Sequence, residues 1–304
     1  MVRSIFLSGV AGFLGSRVLA RLARAKDRRI VCLVRGKRPE GMPSHVEYVT
    51  GDLLDPNAYA PALAGCDMVL HMAAATGKNP PAEYFRVNRD GTEALLQQAG
   101  QSGVERFVFV SSIAAKFRRQ YRYFYAESKQ AAEAVVAGSR LRWTIVRPTM
   151  ILGKGSPVLE SLARLAALPL VPIFGDGRVP VQPVFVEDLA NCLVDILGET
   201  ALDNTTLEIG GPDVLTIEEF VLRIRSAAGK PPASVVHLPA RTLARSIGWM
   251  EPFLLPILPF TAGQLASFSN PGTAASHPWI AERQNRMIGM SEMLRSITHG
   301  YGSA

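Results

Sequence analysis

Cysteine is scarce: there are three in 304 residues, Cys32, Cys66 and Cys192, without metal-ligand spacing. Two fall inside the apolar runs "IVCLV" and "LANCLVDIL", where a thiol serves as a small buried hydrophobe. That usage favours a reducing compartment, and a cytoplasmic location is expected. Histidine is sparse as well, five in all, and His71 has no second ligand beside it, so it is assigned to strand-end packing and no metal is expected. Long apolar runs are missing. No stretch approaches the about 18 residues of a spanning helix, and the nearest, "FLLPILPF" at 253–260, is interrupted by Pro256 and Pro259. Contact with a membrane therefore ranks low. The opening "MVRSIFLSGVAGFLGS" has the flavour of a signal peptide, but its regularly spaced glycines point elsewhere.

A concentrated run of one charge is also missing. The formal charge is +7, yet the basic residues are scattered through helical stretches (Arg17, Arg21, Arg24) and loops (Lys37, Arg38). No nucleic-acid module is recognisable, so nucleic acid is not an expected partner; the charge reads as that of a mildly basic soluble protein or of one with an anionic small ligand. What the chain does hold is apolar residues, 48%, with 19% charged, which suits one large globular domain or two coupled ones.

Apolar runs alternate with amphipathic stretches through the first half, the pattern of a parallel sheet wound with helices. Strands are expected at Ser4–Ser8, Ile30–Val34, Val46–Thr50, Met68–His71, Arg106–Ser111 and Trp143–Arg147. Helices are expected after Gly12, with Leu14, Val18 and Leu22 on one stripe, over "NRDGTEALLQQAGQSG", and over "YAESKQAAEAVVAGS" up to Gly138. Beyond Pro148 the texture changes. "VFVEDLANCLVDIL" and "TLEIGG" return to the sheet pattern, and Thr216 with Glu219 forms a capping box ahead of a helix stopped by Gly229 and Pro231. The tail from Pro231 reads as a smaller lobe rather than as more sheet.

"SIFLSGVAGFLGSRVLARL" is a strand, a glycine turn and a helix. Gly9, Gly12 and Gly15 let the backbone turn tightly and approach a pyrophosphate, while the helix N-terminus offers free N–H groups and a favourable dipole. The second strand ends in Arg35-Gly36-Lys37-Arg38 and no carboxylate stands there for the adenosine ribose hydroxyls. Arginine in that place can clamp a 2′-phosphate, which favours NADP(H), with NAD(H) as the alternative. In "YRYFYAESKQAAE", Tyr125 and Lys129 lie four apart, hence on one helix face. A phenol beside an ammonium is a usable acid/base; the same spacing also arises on solvated helices.

The glycine loop, "GDL" at 51–53, "HMAAA" at 71–75, "VNRDGTEALL" at 87–96, "FVFVSS" at 107–112, "YAESKQAAE" at 125–133, "VRPT" at 146–149 and "QPVFVEDLA" at 182–190 follow one another in order. With them the chain resembles the extended and atypical short-chain dehydrogenases/reductases, the NAD(P)-dependent epimerase/dehydratase group. The resemblance implies an α/β, doubly wound parallel sheet (Rossmann) with a smaller, partly helical C-terminal lobe. It implies a dinucleotide-binding domain over 1–152, with a returning segment at 181–198, and a substrate lobe from 153–180 and 199–304. Gly9, Ala11, Gly12, Phe13 and Leu14 would line the pyrophosphate, Asp52 and Leu53 the adenine, and Ala73 and Ala75 the nicotinamide riboside. Tyr125 would be the general acid/base, Lys129 would hold the riboside hydroxyls, and Ser112, or Ser111 one residue earlier, would bond the substrate oxygen.

The connection from Ser112 to Tyr125 spans 13 positions and contains "IAAKFRRQYRYF". It is shorter than in sugar-nucleotide members and is similar to the branch that includes the nucleotide-binding accessory subunit of respiratory complex I. The reading that follows is an NADP(H)-preferring oxidoreductase or epimerase-like enzyme acting on a hydroxyl or carbonyl group of a small apolar substrate through a Ser-Tyr-Lys site. The alternative is a non-catalytic NADP(H) binder in a larger assembly. Homodimers through two helices are common among such relatives and stay open here. The apolar residues Trp249 to Phe268 either line a substrate pocket or build the lobe's own core; the second is preferred. Arg178 and Arg283 either meet a phosphate or are solvated.

Overall fold

The chain is described from a computed structural model covering residues 4–36, 41–118, 121–254 and 261–298. Lys37, Arg38 and the stretch 255–260 lie outside them, as do the side chains of Trp249, Met250, Phe253 and Leu254.

Six strands alternate with helices: β1 Ser4–Ser8, α1 Phe13–Leu22, β2 Arg29–Val34, β3 Glu47–Thr50, α2 Pro56–Leu63 and β4 Met68–His71. They continue with α3 Pro81–Tyr84, α4 Gly91–Gln101, β5 Arg106–Val110, α5 Phe124–Ala137 and β6 Arg142–Pro148. With β7, Thr205–Ile209, they form a seven-stranded Rossmann-like sheet in the order β7-β6-β5-β4-β1-β2-β3. The five pairs from β3 to β6 are all parallel. β1, β4 and β5 are buried along their whole length, which is why they read as unbroken apolar runs. Phe6, Tyr59, Leu63, Leu95, Phe107 and Phe109 belong to one core on a face of this sheet.

Chain order reverses at β1, which has β2 on one side and β4 on the other. Open α/β sheets receive ligands at such a switch point, beyond the carboxyl ends of the strands. The glycine turn follows β1 and "HMAAA" begins at the end of β4, so both lie there. The expected helix over "NRDGTEALL" starts differently. Phe85–Asp90 is a π-helical turn between α3 and α4, a form that concentrates at functional sites.

Contacts divide the chain into two compact units, one of residues 1–115, 127–147 and 189–207, the other of 116–126, 148–188 and 208–304. The second has its own core, including Leu152, Leu162, Ile173, Phe220, Ile224 and Met293. Its helix Ile217–Ala227 carries the expected capping box, with Thr216 and Glu219 bonding reciprocally. The tail departs from expectation: Ser234–Leu238 is a strand, paired in parallel with Leu170–Phe174. Leu265 is buried and Phe268 stacks on Phe174 at 5.6 Å, so both pack the unit's interior. The Arg283 guanidinium lies 3.7 Å from the Trp279 ring centroid and donates to the Trp279 carbonyl. Among the described residues, no helix is long and apolar enough to cross a membrane.

Candidate functional site: a dinucleotide cradle

The glycine turn is tight for steric reasons. Gly9 has φ +79°, and a Cβ there would stand 2.5 Å from the Ala73 nitrogen and 2.6 Å from the Met72 carbonyl carbon. A Cβ on Gly15 would overlap the Gly9 carbonyl oxygen. The Gly12 N–H closes the turn on the Gly9 carbonyl at 3.1 Å. α1 then begins with no side-chain cap and no acidic residue in its first turn. Its first N–H groups and positive dipole end are left for an anion. Ala11 and Gly12 are exposed, Phe13 and Leu14 half-buried. The Arg17 guanidinium lies 4.7 Å from the Phe13 ring centroid and donates to the Phe13 carbonyl. The backbone cradle and uncapped helix fit a dinucleotide pyrophosphate.

Arg35 is exposed directly after β2. Next to it the Gly51 N–H bonds the Val34 carbonyl, which brings Asp52 and Leu53 to the same corner. Asp52 accepts from the Leu54 N–H at 2.9 Å, and Leu53 is buried against Gly91. The Glu83 carboxyl is held below its ordinary range by hydrogen bonds from Arg86, with a smaller pull from Arg35. The corner therefore mixes both signs of charge.

Ala73 and Ala75 are held by groups that sequence reasoning passed over. The Ala75 N–H donates to Asn88 Oδ1 at 2.7 Å, and Asn88 Nδ2 donates to the Ala75 carbonyl and to Ser128 Oγ. The Ala73 N–H donates to Ser8 Oγ at 3.4 Å. His71 is fully buried, with its ring nitrogens bonded to Ser8 and Thr92. The sequence signal for Asn88 lay in "VNRDGTEALL"; nothing local marked Ser8 or Thr92.

The predicted catalytic residues sit as follows. Ser112 is half-buried after β5, and its Oγ accepts the Ala114 N–H of a 3₁₀ turn, Ile113–Lys116. Ser111 is buried, and its Oγ has no hydrogen-bond partner. α5 carries Tyr125 and Lys129 one turn apart. The half-buried Tyr125 ring is tilted against Tyr123 at 5.9 Å. Lys129 is 1% exposed; its Nζ donates to the Val110 carbonyl at 2.7 Å and lies 4.3 Å from the Phe109 centroid. Burial pulls its ammonium down to about 7, against a weaker opposing pull from Glu133. Glu133 is itself paired with Arg147. Gly9 and Ala73 thus come together, as do Ala75 and Asn88, with Lys129 beside the end of β5.

The NAD(P)H-binding family model matches residues 9–166, from the first cradle glycine to α6, Pro157–Ala166. That is more than half of the chain. The chain belongs to the NAD(P)H-binding family. Within its reach, the chain is 35% identical over 192 residues to a ceramide reductase of Caulobacter vibrioides, covering 62% of this chain and 59% of that protein. It is 30% identical over 255 residues to an uncharacterised protein of Mycobacterium tuberculosis, covering 84% of this chain and 26% of the other. The chain therefore spans about a quarter of that mycobacterial relative and somewhat over half of the reductase. The crystal structure of Thermus thermophilus UDP-glucose 4-epimerase with NAD matches with a TM-score of 0.71 at 22% identity, covering 99% of each chain. That likeness concerns the fold. The family membership makes this an NAD(P)H-binding protein.

Proposed function

We propose that the chain is an NADP(H)-preferring oxidoreductase acting on a hydroxyl or carbonyl of a small apolar substrate through Ser112, Tyr125 and Lys129. The observation that carries the reading is the presence, on one helix, of Tyr125 and a buried Lys129 whose Nζ is held at the end of β5 by the Val110 carbonyl. A free phenol, with a pKa near 10, is a poor base at neutral pH. A neighbouring cation favours a phenol's anion, and in this reading Lys129 has that role. Tyr125 then gives or takes the proton of the substrate oxygen, and Ser112 donates its hydroxyl proton to the same oxygen while its lone pair keeps the Ala114 N–H. The cradle and the start of α1 bind the pyrophosphate, Arg35 binds the 2′-phosphate, and the backbone of 73–75 orients the riboside. The nicotinamide, when bound, supplies or accepts the hydride.

Simple alcohol/ketone redox is preferred to epimerisation, and the likeness to a ceramide reductase supports an apolar substrate over a sugar nucleotide. A second reading, a non-catalytic NADP(H) binder, draws on the hydrogen bond that engages Lys129 with the Val110 carbonyl. The test of cofactor choice is a parallel fluorescence titration with NADPH and NADH. NADPH is expected to bind more tightly, and Arg35→Asp to cost NADPH affinity at least about tenfold while sparing NADH. Equal losses for both cofactors would remove Arg35 from the role.

A further inference from the structure

Four polar side chains are buried together beneath the 73–75 segment: Ser8 and Asn88 are 1% exposed, His71 and Thr92 0%. Such groups are tolerated only when hydrogen-bonded, and their donors and acceptors can be followed one by one. Thr92 Oγ1 donates to the Asn88 carbonyl at 2.6 Å, so it must accept from His71 Nε2 at 2.9 Å. His71 therefore carries its proton on Nε2, and Nδ1 accepts from Ser8 Oγ at 2.5 Å. Ser8 Oγ, having donated, accepts from the Ala73 N–H. The result is a one-way chain from the Ala73 N–H through Ser8, His71 and Thr92 to the Asn88 carbonyl. The Asn88 side chain closes it by gripping both polar groups of Ala75 and reaching Ser128 on α5. Burial, with the Lys129 charge as a smaller contribution, lowers His71 to about 3, so the imidazole stays neutral and keeps one tautomer. The His71 ring also stacks on Phe109 at 5.5 Å, and Lys129 Nζ faces that same Phe109 ring.

We propose that Ser8, His71, Thr92 and Asn88 form a positioning chain that fixes the 73–75 backbone relative to α5, and with it the seat of the nicotinamide riboside. The inference rests on the dinucleotide reading above and adds to it which buried groups set the geometry. The π-helical turn, Phe85–Asp90, fits this role, because it contains the Asn88 whose side chain and carbonyl both join the chain. None of the four residues is required to touch the substrate, so all are positioning residues.

The test uses Thr92→Val, which keeps volume but removes the acceptor for His71 Nε2–H, and Thr92→Ser, which keeps the hydroxyl. Each is measured for NADPH affinity by fluorescence titration, well below its own melting temperature. Thr92→Val is expected to weaken binding roughly tenfold, the scale of one misplaced buried hydrogen bond, and Thr92→Ser to recover most of it. Wild-type affinity in both variants, with only the melting temperature lowered, would overturn the proposal; so would equal losses in both, which would trace to packing. Should Thr92→Val not fold, Ser8→Ala breaks the chain at its other end, with the same expected loss and the same overturning result. A folded wild-type protein that binds neither cofactor would overturn the dinucleotide reading itself, and this one with it; wild-type binding with unaffected variants sinks the positioning chain alone.

Discussion

At the start of β5 the Arg106 guanidinium is 3% exposed, and past the end of the same strand the Lys129 ammonium is 1% exposed. Arg106 donates to the carbonyls of Ile196, Leu197 and Glu199 and to Thr144 Oγ1, and lies 2.7 Å from Asp203. Lys129 has the Val110 carbonyl and the face of Phe109. Burial lowers both cations from their ordinary values; Asp203 pulls Arg106 back up, whereas Lys129, opposed only by Glu133, falls to about 7. A buried charge with several partners stitches elements together. One with fewer partners costs stability, and groups perturbed in this way cluster at functional sites.

The largest expected effect breaks the chemical end. Tyr125→Phe should lower turnover about 10²–10⁴-fold, the range of a lost general acid/base, while cofactor affinity stays within about twofold. Unchanged turnover in a kinetic assay would return Tyr125 and Lys129 to an incidental helix pair.

The two cations themselves come next. Arg106→Met should destabilise the fold by roughly 3–5 kcal/mol, since it strands Asp203 and a set of carbonyls. Lys129→Met should be neutral or stabilising at pH 6, by as much as about 3 kcal/mol, yet abolish turnover. Urea midpoints for the two variants check this, and equal destabilisation would erase the contrast.

The same contrast has a pH signature. The folded Lys129 loses its proton near 7, while the unfolded chain holds it to about 10.5. Between those values the unfolded state binds more protons, so stability should rise with pH by up to about 1.4 kcal/mol per unit, and stay flat in this respect below 7. Lys129→Met should remove the rise. His71, lowered to about 3 from 6.5, acts in a separate window, adding stability as pH rises from 3 to 6.5. The smallest effect lies far from both cations: Thr216→Ala removes one capping-box partner and should cost about 1 kcal/mol in thermal unfolding.

Much of this was legible in the chain. Strands β1 and β4 fall where the apolar runs place them, and β2, β3, β5 and β6 do so to within a residue at either end. Buried parallel strands leave little choice of residue type. The glycine turn was legible because its packing against Ala73 admits no Cβ. The strand Ser234–Leu238 was missed because it is only partly covered and follows a proline pair, so its pattern resembles loop. The Arg106 network was missed for another reason. An arginine opening an apolar run looks like a surface residue until the carbonyls of Ile196, Leu197 and Glu199, some 90 residues on, are brought to it.

The sequence by itself therefore determined the order of elements, the cradle for a dinucleotide, and the helical pairing of Tyr125 with Lys129. These are local matters of apolar period, glycine sterics and helix spacing. Only the tertiary structure decided the buried polar chain from Ser8 to Asn88 and the undersupplied state of Lys129. Its bonds join residues 63, 21, 13 and 19 positions apart. Hydrogen-bond direction and desolvation are properties of what surrounds a group once the chain has closed around it, and no local pattern encodes them.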